Sequence, residues 1–320
     1  MKKLICFLMV FAVLLAFCAG YAESSDPIKI GVVLARADEF NLSMEKAWKE
    51  IDAENESVEV IILISQDNQS QQYADCEALL ARGCQALVVK CVDYTAAADM
   101  VKMIKAAGAY VIIDESMPEE CTPEDYDLHI KSENIQHGEN IGRCLKDYME
   151  KHPDKQLYMG YIQGKEMPNP KMRHDGIYNI VSEEEVVELA YEIAEWKAER
   201  AASITESWLT AYPEMNVIAC ANDTMACAVV ETLIAAGIDT SEDFIVTGVD
   251  GDTNGLQYIK EGKLYATSKQ DTSISARVAF ENAVKLINGE ALEYDDPVMK
   301  TIDPQMITLV TAENIDDYLE

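Results

Sequence analysis

Short apolar runs alternate with amphipathic stretches along almost the whole chain, and that alternation constrains the fold more than any other feature. Ile28-Lys29-Ile30-Gly31-Val32-Val33-Leu34 reads as a buried strand, and Met44 to Ile51, with Ala47 and Trp48, as the helix after it. Val58 to Leu63 is a second strand, Ser70 to Arg82 a helix closed by Gly83, Ala86 to Val89 a third strand, Thr95 to Ala107 a helix closed by Gly108, and Tyr110 to Ile113 a fourth strand. Glycine just after the last helical residue is a stop signal because it accepts the left-handed backbone. Strands separated by whole helices need crossover connections, which are right-handed and build parallel sheets. The loop from Glu115 to Asp127, rich in Pro, Glu and Asp, reads as a lobe boundary. Beyond it the alternation resumes, with helices at 138–151, 171–181, 197–211, 224–236 and 274–287 and strands at 157–161 and 188–191. A chain of 320 residues, 49% hydrophobic, can bury two modest cores. The expectation is therefore two α/β lobes with parallel sheets.

Polar residues sit where the apolar strands end. Val217-Ile218-Ala219 leads into Asn222-Asp223-Thr224, and Phe244-Ile245-Val246-Thr247 leads into Gly248-Val249-Asp250-Gly251. Further on come Gly262-Lys263-Leu264-Tyr265-Ala266-Thr267 and Gln270. In open α/β sheets ligands bind at the carboxyl ends of the strands. Planar Asp, Asn, Gln and Arg groups there can each grip two vicinal hydroxyls, so the series suits a sugar.

The N-terminus has a basic start at Lys2 and Lys3, an apolar run from Leu4 to Cys18 and small residues before Glu23. Residues 1–22 thus read as a signal peptide, and the protein as exported, to the periplasm or the outer face of the cytoplasmic membrane. The apolar run is short for a span, which needs roughly 20 residues. Lipidation of Cys18 is the second reading, weakened by Phe17. The net charge of −31 argues against nucleic acid as a partner. Of nine cysteines, seven lie beyond the leader, an odd number with no Cys-x-x-Cys pair, so most read as free core thiols.

The four histidines are scattered, and there is no Gly-x-Ser-x-Gly, His-Glu-x-x-His or Gly-Lys-Ser/Thr motif. No enzyme and no cofactor is therefore expected. Paired carboxylates such as Asp38 and Glu39 would also suit a glycosidase, and an aryl-glycoside hydrolysis assay separates the two readings.

On the Asn222 to Gln270 series, Ala37-Asp38-Glu39-Phe40, Ser65 to Ser70 and Leu79 to Gly83, the chain resembles the periplasmic sugar-binding proteins of the ribose and galactose/glucose type, with the pattern of the latter nearer. The resemblance implies a periplasmic binding protein of type I, α/β, with two doubly wound parallel-sheet lobes joined by a three-segment hinge near 131–134, 268–272 and 300–305. The lobes are then 27–132 plus 272–302 and 133–270 plus 304–320. It further implies a ligand site of Asp38, Phe40 and Asp114 from the first lobe, with Met167, Asn169, Arg173, Trp196, Asn222 and Asp250 from the second and Gln270 on a crossover. Phe40 and Trp196 would sandwich the sugar. Met167 and Asn169 stand where the galactose/glucose type has His and Asp, and Glu115 where the ribose type has Arg, so the sugar itself stays open. Lys151 to Lys155 lacks the oxygen ligands of that type's calcium site, so no metal is expected. The implied function is capture of a monosaccharide by a monomer that delivers it to an ABC transporter permease. The alternatives are a ligand-sensing partner of a chemoreceptor or histidine kinase, and a non-sugar or furanosyl signal ligand. Glu115, Asp38 and Asp114 together would also admit an amino sugar.

Overall fold

The computed structural model describes residues 27–241, 244–304 and 307–319; the leader and Cys18 lie outside them. Two six-stranded sheets carry the chain. The first contains β1 (Ile28–Leu34), β2 (Val58–Ile64), β3 (Ala86–Val89), β4 (Tyr110–Asp114), β5 (Leu128–Ile130) and β11 (Thr301–Ile302), in spatial order β11-β5-β4-β3-β1-β2. The second contains β6 (Leu157–Gln163), β7 (Val186–Ile193), β8 (Val217–Cys220), β9 (Ile245–Asp250), β10 (Ala266–Gln270) and β12 (Ile307–Thr311), in order β12-β10-β9-β8-β6-β7. The first sheet is parallel throughout; in the second, β12 runs antiparallel to β10 at one edge. In each sheet the strand order reverses beside its first strand, the doubly wound arrangement that opens a crevice at the carboxyl ends.

The helices are α1 (Glu39–Glu54), α2 (Gln69–Ala81), α3 (Ala98–Ala106), α4 (Asn134–Lys151), α5 (Pro168–Tyr178), α6 (Ala198–Ala211), α7 (Asp223–Ala235), α8 (Thr253–Lys260) and α9 (Thr272–Ile287). Asp38, Asn68, Asn222, Asp252 and Asp271 cap five of them, each side chain accepting from a backbone N–H in the first turn. Several helices begin earlier than the apolar periodicity indicates, because these polar caps, and Pro168 in α5, set the start. The cap of α8 is Asp252.

The chain passes between the sheets three times: after β5, between β10 and α9, and between β11 and β12. The acidic loop 115–127 is not the boundary its composition suggests. It leads into β5, which still pairs with β4 through Ile112↔Leu128, and the crossing comes only afterwards. One core packs around Trp208, Tyr161 and Val229 under the second sheet. Two others, around Trp48 and Leu34 and around Leu79 and Ile104, cover the two faces of the first. All seven described cysteines are unpaired and five are buried, as small apolar side chains are. No helix among the described residues is long and apolar enough to cross a membrane.

Candidate functional site

The carboxyl ends of both sheets face one narrow cavity of about 40 Å³. From the first sheet it receives Ala35 and Arg36 after β1, Lys90 and Cys91 after β3, Glu115 and Ser116 after β4, and Phe40 from the first turn of α1. From the second come Met167 and Asn169 at the start of α5, Arg173 one turn on, Trp196 after β7, Asn222 after β8 and Asp250 at the end of β9. Asn169 and Arg173 are four residues apart on one helix, so they share a face.

Backbone strain concentrates here. Glu115, Trp196 and Asp250 have φ of 65°, 64° and 114°, a region that side chains other than glycine rarely adopt. Each follows or ends a strand, and the turn aims its side chain back across the crevice. Strain held in this way is characteristic of functional positions. Gly164 leaves room for the indole of Trp196: a Cβ there would lie 2.3 Å from the ring.

Arg173 is nearly buried, with 5% exposure. Its Nε donates to Asn134 Oδ1 at 2.9 Å, and one terminal nitrogen donates to the Ala221 carbonyl at 2.5 Å and lies 3.6 Å from Asp250 Oδ1. The surface pairing with Asp175 that sequence proximity allows is not formed; Asp175 meets His174 instead. Asn222 does two jobs: its Oδ1 accepts from the Met225 N–H at 3.0 Å as the cap of α7, while the residue lines the cavity. The Trp196 Nε1–H is buried without an acceptor among the described residues. A buried donor left unpaired costs about 1–3 kcal/mol, so this indole favours a ligand that brings an oxygen to it.

Asp38, Asp114 and Gln270 stand one layer back. Asp38 caps α1 and pairs with Arg36, Asp114 accepts from Ser275 at 3.0 Å, and Gln270 donates to Glu115 Oε1 at 3.5 Å. None of the three lines the cavity; Asp38 and Gln270 brace the lining residues Arg36 and Glu115. The three acids expected to admit an amino sugar are thus already engaged, Glu115 by Lys90. Cations also cover both aromatic rings: Arg36 lies 5.3 Å from the Trp196 centroid and Lys90 4.6 Å from that of Phe40. Arg36 and Lys90 escaped the reading of the sequence, although each follows a strand end as Asn222 does.

The lobes touch on either side of the cavity. Lys165 pairs with Asp67 at 2.5 Å, and Asn254 Nδ2 donates to Glu39 at 2.6 Å. Behind it, Gln270 joins two crossings, accepting from Ser132 at 3.0 Å with His137 Nε2 at 3.3 Å. Burial, with Arg173 nearby, holds His137 well below the usual imidazole value, so it is neutral. Among the described residues no group of three or more His, Cys, Asp or Glu is placed to hold a metal ion.

Burial lifts the Asp250 carboxyl to about 8 against the pull of Arg173, helped by Asp252, Glu115 and Asp38. Burial likewise lifts Asp252 to about 7 and Asp114 to about 6. Burial opposes the charge of Glu115 as well, but Lys90, then Arg173 and Arg36, outweigh it and hold it below the usual carboxylate value. Carboxyls raised on folding bind more protons in the native than in the unfolded state, so they make stability fall as pH rises from about 4 to about 8. The unliganded protein is therefore expected to melt at least about 3 °C higher at pH 5.5 than at pH 8.5. Asp250→Asn should shrink that difference; an unchanged difference by scanning calorimetry would mean that Asp250 titrates normally.

Two doubly wound lobes, crossed three times by the chain and closing strand-end polar and aromatic groups around one cavity, define a two-lobed solute-binding protein. The chain belongs to the family of the periplasmic binding protein domain, whose model matches residues 30–291. It is 27% identical to the ribose import binding protein of Salmonella typhimurium over 93% of this chain and 97% of that one. It is 24% identical to the D-ribose/D-allose-binding protein of Pseudomonas aeruginosa over 98% of this chain and all of that one. Among solved structures, an ABC transporter solute-binding protein of Bacillus halodurans with bound myo-inositol superposes with a TM-score of 0.80 at 27% identity, covering 93% of this chain and 99% of that one. The two curated relatives are by name ribose- and D-ribose/D-allose-binding proteins, not the galactose/glucose type whose pattern is expected to be nearer.

Proposed function

We propose that the chain captures a monosaccharide between its lobes, outside the cytoplasmic membrane and as a monomer, and delivers it to the permease of an ABC transporter. The observation that carries this reading is the single cavity in which Asn169, Arg173, Asn222 and Asp250 meet Phe40 and Trp196. Four planar polar groups offer donors and acceptors to hydroxyls, and two rings offer apolar faces to C–H patches. A ring that settles between them exchanges the Arg36 and Lys90 contacts for its own, and the indole N–H gains an acceptor. Ligand contacts from both lobes favour the closed arrangement, and a permease reads the relative geometry of the lobes. The ribose-binding and inositol-bound relatives support a neutral polyol as cargo, and the leader-like N-terminus supports export.

A thermal-shift panel of D-ribose, D-allose, myo-inositol, D-galactose and D-glucose tests the reading. Ligand at about 100 times its Kd stabilises by roughly 2.7 kcal/mol, so at least one member should raise the melting temperature by about 5 °C. A panel without any shift at millimolar concentration would remove sugar capture as the function.

A further inference from the structure

We infer that the buried Lys90–Glu115 ion pair is a charge filter within this site: it holds neighbouring hydroxyls of an uncharged polyol and turns away sugars bearing a carboxylate or an ammonium group. The inference rests on the sugar-binding reading above.

Lys90 follows β3 and Glu115 follows β4, strands paired through Val89↔Ile113; that register sets Lys90 level with Asp114, and Glu115, one residue on with φ of 65°, meets it at the crevice. They form an ion pair, with side chains only 9% and 10% exposed. Glu115 is fixed from several directions. Its N–H donates to the Ile130 carbonyl at 2.9 Å, His129 Nε2 lies 2.7 Å from its own carbonyl oxygen, and Gln270 reaches its Oε1 from the crossover strand. Lys90 is less constrained. Its ammonium lies over the Phe40 ring and has no well-aligned hydrogen-bond acceptor among the described residues beyond the Glu115 contact. A ring stacking on Phe40 therefore meets the ammonium and the carboxylate first.

An ammonium only donates hydrogen bonds and an ionised carboxylate only accepts them, whereas a hydroxyl does both. Adjacent hydroxyls can accept from Lys90 and donate to Glu115 while the ion pair stays intact. A sugar acid would draw Lys90 to its own carboxylate and leave Glu115 facing a like charge, with Asp114 close behind. An amino sugar would do the converse, competing for Glu115 and stranding Lys90. The other two lining cations are already engaged, Arg36 by Asp38 and Arg173 by its hydrogen bonds to Asn134 Oδ1 and the Ala221 carbonyl.

Isothermal titration of the mature chain with the best neutral ligand of the panel, with D-glucuronate and with D-glucosamine tests the filter. Wild type is expected to bind the neutral ligand at least 100-fold more tightly than either charged sugar. Lys90→Met should raise the affinity for glucosamine relative to the neutral ligand at least tenfold, and Glu115→Gln should do the same for glucuronate. A purely structural pair would weaken all three ligands together, so ratios within threefold of wild type in both variants overturn the filter while leaving sugar capture standing. Should either single variant fail to fold, the double variant K90M/E115M, which buries no lone charge, is read instead. It is expected to keep its melting temperature and lose at least 30-fold in neutral-ligand affinity, and unchanged affinity overturns the proposal. If wild type binds no neutral panel member, sugar capture itself falls.

Discussion

Arg173→Met is expected to weaken ligand binding at least about 100-fold by isothermal titration, the largest loss from any single side chain in the cavity. Truncating one partner of a buried ionisable pair costs about 2–5 kcal/mol in binding, much of it from the group left unpaired. Here the partner is Asp250, which already sits among Asp252, Glu115 and Asp38. Of the charged neighbours that act on Asp250, Arg173 is the one that pulls its carboxyl down, so without it the carboxyl, already lifted to about 8, rises further. The lost guanidinium also frees Asn134 Oδ1 and the Ala221 carbonyl, which tie it to α4 and to the end of β8. The variant should therefore bind less tightly and also shift the pH dependence of what binding remains toward higher pH. Methionine keeps most of the volume and the apolar stem, so collapse of the fold is not the expected result. Affinity within threefold of wild type would place the ligand elsewhere in the molecule.

The second-lobe half of the site is legible in the sequence because strand ends are. Asn222 and Asp250 close apolar runs, and Asn169 and Arg173 share a helix face by spacing alone. What hid Arg36 and Lys90 is that their partners come from other segments of the chain or, like Asp38, read as ligand groups in their own right. A lysine after Val89 reads as an ordinary solvated end until the fold sets it against Glu115. Asp38, Asp114 and Gln270, whose residue types suit a hydroxyl, are engaged by Arg36 close in the chain and by Ser275 and Ser132 far from it. The short strands β5 and β11 carry too few residues for any periodicity to show, and their pairing partners alone define them. Composition marks 115–127 as a loop correctly but is silent on which sheet the next strand joins.

Gly138→Ala is expected to lower stability by about 3 kcal/mol or more, a fall in melting temperature of roughly 6–12 °C. In an ordinary helix interior the change would have the opposite sign, since alanine favours helix over glycine by about 1 kcal/mol. Packing decides the outcome. A Cβ at Gly138 would lie 1.9 Å from the Arg173 carbonyl oxygen and 2.8 Å from Gly176 Cα, both backbone atoms that cannot rotate away. The helices α4 and α5 would have to part, whereas at Gly142, one turn on, the nearest backbone atom, the Ile177 carbonyl oxygen, lies at 2.7 Å rather than 1.9 Å. Gly142→Ala should accordingly cost less than Gly138→Ala, an order that differential scanning calorimetry resolves. Because the obstructed oxygen belongs to Arg173 itself, the G138A substitution also displaces the guanidinium from Asn134 and Asp250, and ligand affinity should fall along with stability. A variant that melts and binds like wild type would mean that these helices do not approach so closely, and the position of Arg173 in the cavity would lose its structural basis.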